Sequence, residues 1–125
     1  MGMKNSDYHF KFEELNVYQK AIEYGEMVNT LIDKFPQKEL YKLSSQFGRA
    51  ADSIALNISE GSSGSDANFN RYLNMARDSA NECVTASTKA RLRKYITFEE
   101  DEENRKQLTE ILKMINALIR HLKNK

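Results

Sequence analysis

Between Tyr41 and Gly61 the chain reads YKLSSQFGRAADSIALNISEG, and this run restricts the fold more than any other. Leu40, Leu43, Phe47, Ala51, Ile54 and Ile58 recur at steps of three and four, which sets them along one face of an α-helix. Ser44, Ser45, Gly48, Ala50, Ala51, Ser53 and Ala55 supply mostly small side chains around that seam. A helix with so few bulky groups lets neighbouring backbones come close, so the run predicts the central helix of a bundle. Arg49, Asn57 and Glu60 stand among these residues, and polar groups beside a packed seam need partners.

Three other segments share the helical spacing. The first helix is predicted over 13–34, starting at Glu13 or Asn16, with Val17, Ala21, Tyr24, Val28, Leu31 and Phe35 on one seam and Leu15, Tyr18, Ile22 and Ile32 on a second line beside it. Pro36 stops it, because the residue before a proline is pushed out of the α region. The following turn is short, so the central helix, over 38–60 and ending at Gly61, returns antiparallel. After the GSSGS loop, Ser65 or Asp66 caps a third helix over 66–94, with Phe69, Leu73, Ala76, Ala80, Cys83 or Val84, Ser87 and Ala90 inward. Thr97 and Glu100 form a capping box for a fourth helix over 98–122, seamed by Leu108, Ile111, Leu112, Ile115, Leu118, Ile119 and Leu122. Residues 1–12 form an N-terminal arm that Phe10 and Phe12 are expected to pin to the first helix. The expectation is an all-α protein: a single up-down-up-down antiparallel four-helix bundle over 13–125.

Composition removes several classes of function. The formal net charge of +1 gives no overall pull toward nucleic acid or membrane. A ferritin-like dimetal site needs two Glu-x-x-His motifs, whereas His9 and His121 are the only histidines and neither follows a glutamate by three positions. Cys83, the only cysteine, sits mid-helix on an apolar seam and reads as a packing residue rather than a nucleophile. GSSGS lacks the lysine of a phosphate loop, and Asn57-Ile58-Ser59 matches a glycosylation sequon only inside a helix. No metal, no cofactor and no catalytic residue is expected, and the protein is not read as an enzyme. No apolar run approaches the roughly 20 residues that span a bilayer, and a cytoplasmic protein is expected. Met1-Gly2 with Ser6 fits the myristoylation pattern, but a cloning remnant ahead of Met3 is the favoured reading.

Two groups of polar residues remain. Asn57 and Glu60 near the end of the second helix and Glu82 on the third, with Arg49 and Arg77 as positive partners, read as a hydrogen-bond network fixing register, or else as a ligand site. Lys89, Arg91, Arg93 and Lys94 close the third helix. With Arg71 and Arg77 they make six basic residues against Asp66, Asp78 and Glu82. That cluster is either a solvated face, partly neutralised by the acidic run Glu99–Glu103, or a phosphate-binding patch.

FEELNVYQKA (12–21), FPQKELYKLSSQFGRAADSIALNISEG (35–61) and RYLNMARDSANE (71–82) resemble a bacterial four-helix bundle family encoded in intervening sequences of 23S ribosomal RNA genes. The most specific part is the Gln46–Arg49 and Asn57–Glu60–Gly61 pattern. Gly48 stands where that family often has a basic residue, and Ser59 where it often has alanine. The family's ribosomal-protein label follows from where its genes lie. The resemblance implies a homo-oligomer, a pentamer of four-helix protomers. It also implies a relative, the accessory variability protein of diversity-generating retroelements, that binds a reverse transcriptase and nucleic acid and is markedly more basic. The expected function is therefore a non-enzymatic scaffold or adaptor for RNA, DNA or a nucleic-acid-handling protein. The alternative is a protein–protein interaction module without nucleic acid.

Overall fold

The computed structural model describes residues 6–125 and contains, among them, four α-helices and no strand. These are α1 (Asn16–Ile32), α2 (Leu43–Ser62), α3 (Asp66–Leu92) and α4 (Phe98–Lys123), with 3₁₀ turns at Lys11–Glu14 and Gln37–Glu39. Met1 and Gly2, and with them the choice between a lipid anchor and a remnant, lie outside the described residues.

Contacts fix the direction of each neighbouring pair. Gly25 on α1 faces Ala51 and Asp52 on α2, while Ile32 reaches back to Gly48, so the two helices run oppositely. Along α1 and α4, Lys20 pairs with Glu110, Tyr24 with Asn104 and Lys34 with Glu100, again in reverse order. Between α3 and α4, Arg77 meets Asn116 and Ser87 meets Asp101. Gly61 near the end of α2 lies against Phe69 and Tyr72 near the start of α3. Four helices joined by short connections thus close into a bundle.

The core follows the predicted seams. Val17, Ala21, Tyr24 and Val28 of α1, Leu43, Phe47, Ala51, Ile54 and Ile58 of α2, and all of Phe69, Leu73, Ala76, Ala80, Cys83, Ser87 and Ala90 of α3 are buried. From α4, Leu108, Ile111 and Ile115 are buried, with Leu112, Leu118, Ile119 and Leu122 packed partly against them. Phe35 plugs one end, its ring 5.4 Å from Tyr95 and 6.4 Å from Phe47.

The ends of the helices differ from the expected ranges for identifiable reasons. Leu15 is extended (φ −70°, ψ 122°), which separates the 3₁₀ turn from α1, so the helix begins at Asn16, the later of the two expected starts. The arm is tied down as expected: Phe12 meets Tyr18 edge-on at 5.0 Å and stacks on Phe10. The larger departure is that α2 starts at Leu43, not at residue 38. Glu39 turns inward beneath the loop, and Leu40 is consequently half exposed instead of joining the seam. Gly61 does not terminate α2, which continues to Ser62. Its role is close approach: a Cβ at that position would lie 2.5 Å from the Tyr72 Cβ. At the other end, α3 stops at Leu92 in a Schellman turn. The Tyr95 N–H donates to the Ala90 carbonyl and the Lys94 N–H to that of Arg91, with Lys94 in the left-handed region (φ 65°).

Candidate nucleic-acid interface

Gln46 and Arg49, three positions apart, share the flank of α2 that faces α3, and Lys42 stands just before them at the N-cap of the helix. Glu82, Lys89 and Arg93 share the matching flank of α3. Because the two helices are antiparallel, these six side chains line one open groove of about 310 Å³. Leu43 forms part of its floor. Four of the lining groups are cationic, and Glu82 is the single carboxylate among them. Among the described residues, Lys42, Arg49 and Lys89 make no salt bridge.

Arg93 is different. Its Nη1 donates to Glu39 Oε2 at 3.1 Å, and the Tyr95 hydroxyl donates to the same oxygen at 2.6 Å. Glu39 Oε1 lies 3.5 Å from the Leu43 N–H, at the start of α2. The Tyr95 hydroxyl, and after it the Leu43 N–H and the Arg93 guanidinium, hold the Glu39 carboxyl below the usual carboxylate range. The same bond pushes the Tyr95 phenol up. This clamp joins the loop before α2 to the loop after α3 and fixes one end of the groove.

The other basic residues go elsewhere. Arg91 Nε lies 3.0 Å from the buried Asp101 Oδ2, without the alignment of a hydrogen bond. Asp101 also accepts from Ser87 Oγ at 2.6 Å and from Arg105 Nε at 3.0 Å. Lys94 occupies the turn that ends α3. Arg71 stacks over the Tyr72 ring at 4.6 Å and donates to Asn68. Arg77 donates to Asn116 at 3.0 Å and to Asn74 rather than to a carboxylate. The network expected from Asn57, Glu60, Glu82, Arg49 and Arg77 is therefore not formed. Asn57 donates to the Ser53 carbonyl at 2.8 Å, Glu60 is exposed, and Gln46, Arg49 and Glu82 belong to the groove. Sequence reasoning missed Lys42. Its spacing with Gln46 and Arg49 was the available signal.

Inside the bundle the Tyr24 hydroxyl and the Cys83 thiol are held protonated. The Tyr24 hydroxyl donates to Asn104 Oδ1 at 3.0 Å, and burial raises its pKa. Burial also pushes the Cys83 thiol up to about 12, so it is not a thiolate at neutral pH. Among the described residues, no helix is long and apolar enough to cross a membrane.

A family model described as 23S rRNA-intervening sequence protein matches residues 13–117. No curated protein matches the chain. A solved structure of a protein of unknown function from the S23 ribosomal protein family of Bacteroides thetaiotaomicron is similar in sequence and shape, with 30% identity and a TM-score of 0.77. The match covers 82% of this chain and 97% of that one.

Proposed function

The chain belongs to the 23S rRNA-intervening sequence protein family, and we propose that within it the protein is a non-enzymatic helical scaffold that holds nucleic acid through the α2–α3 groove. The observation that carries this reading is the lining of that groove. Three cations stand there without an ion-pair partner among the described residues, and a fourth is held in place by Glu39. An array of Lys and Arg on two facing helices suits phosphate oxygens and reads little sequence. A net charge of +1 does not oppose this, because the attraction is local and the groove lining carries four cations against the one carboxylate of Glu82. Charge reversal at Lys42 and Lys89 (K42E/K89E) is expected to weaken binding of labelled RNA or single-stranded DNA by about tenfold or more. Arg71→Glu, outside the groove, is the control and changes it little. Equal binding by both variants and the parent chain overturns the reading.

The scaffold is proposed to be a homo-oligomer, with five copies as the resemblance implies. Ile22 and Leu56 remain exposed across the α1–α2 groove beside Glu26 and Asp52, and we assign that flank to the neighbouring copy. It leaves the α2–α3 groove open. The same apolar flank also favours the second reading, a protein-interaction module without nucleic acid. A pulldown that recovers one protein partner after nuclease treatment, from a chain that binds no nucleic acid, selects that reading.

A further inference from the structure

Glu39 and Arg93 bind one another across the two loops, so the residues next to each come to the same end of the groove. Three large apolar or aromatic side chains are uncovered there: Leu40 is 49% exposed, Tyr41 90% and Leu92 68%. Tyr41 directly precedes Lys42, which lines the groove. The residue next to a lining cation thus carries a nearly free aromatic ring at this end of the track. We propose that the groove takes single-stranded nucleic acid in preference to duplex, with its backbone along Lys42, Arg49 and Lys89 and an unstacked base on the Tyr41 ring.

The proposal rests on the phosphate-binding reading and adds the class of strand. From Lys42 to Arg49 the track runs about 10 Å along α2, enough for a few nucleotides but short for the helical turn of a duplex. Cations on both flanks enclose a single backbone. A duplex keeps its bases stacked inside and offers none to Tyr41. Base stacking on aromatic rings is sequence-tolerant and marks single-strand sites when paired with a basic groove. A polyanion without bases, such as an acidic peptide, would use the lysines and arginines but leave Tyr41 idle.

The test measures binding of a labelled single strand, the matching duplex and polyglutamate to the parent chain, Tyr41→Ala and Tyr41→Phe, at one fixed salt concentration. The expected result is tighter binding of the single strand than of either competitor. Loss of the ring in Tyr41→Ala should weaken single-strand binding by about 5- to 100-fold, and Tyr41→Phe should retain it. Duplex and polyglutamate binding should not change between variants. Because the ring is exposed, thermal melts of all three chains should coincide. Equal binding of strand and duplex with a silent Tyr41→Ala overturns the strand preference while leaving the groove's role intact. Polyglutamate bound as tightly as the strand overturns base recognition. No binding of any nucleic acid at low salt overturns both proposals.

Discussion

Glu39 shows how one side chain positions a surface. It is 5% exposed, yet its carboxylate takes the Tyr95 hydroxyl and the Arg93 guanidinium, and so holds two loops and one edge of the groove together. Its pKa is lowered on folding, as are those of Glu100, bonded by Lys34 and the Thr97 N–H, and Glu110, bonded by Lys20. For a depressed carboxyl, the stabilisation is whole above its unfolded value of roughly 4.3 and drains away as pH falls through the folded value. Chemical denaturation followed down from neutral pH should therefore show stability falling below about pH 4.3. Glu39→Gln should start lower and fall less steeply over that range. An acid limb identical to the parent's would mean that the clamp does not operate in solution. In the sequence, Glu39 falls in the first turn of the helix expected over 38–60, with nothing to set it apart. Its partners lie 54 and 56 positions away, and no local spacing reports them.

Elements are legible where the physics is local. The seams of all four helices and the capping box at Thr97 could be read because periodicity and cap chemistry act within a few residues; both box hydrogen bonds form, at 2.9 and 3.0 Å. The start of α2 could not, because Glu39 is drawn inward by residues far along the chain. Gly61 was readable as important but not for its reason, which is the approach of α3 to within a Cβ's reach. Gly61→Ala should push Tyr72 and the start of α3 away and cost about 1–3 kcal/mol in a urea titration. A stability equal to the parent's would show that the helices relax freely there. Lys94 carries the opposite expectation. A lysine at φ 65° is strained, and glycine relieves the strain at some cost in unfolded-chain entropy, so Lys94→Gly should stabilise the protein by about 0.5–1 kcal/mol. Since Lys94 does not line the groove, nucleic-acid binding should stay within about twofold of the parent, less than one phosphate contact contributes.

At the scale of the whole molecule, a nearly neutral chain presents charge unevenly. Asp101 is shared by Arg91 and Arg105, Glu39 holds Arg93, and Lys20 and Lys34 are paired with α4. Lys42, Arg49 and Lys89 are left on one groove. The sequence drew attention to the basic end of α3 but could not sort it, since pairing depends on which helix face each arginine reaches. Two of the four clustered residues, Lys89 and Arg93, line the groove, and α2 completes it. The most direct test of this account is the affinity for a labelled single strand measured by fluorescence anisotropy over a salt series, on the parent chain and on Arg49→Glu/Lys89→Glu. Log affinity should fall linearly with log salt, with a slope shallower by about 0.7 for each cation removed in the variant. The same slope in both chains, or no binding by the parent at low salt, would contradict it.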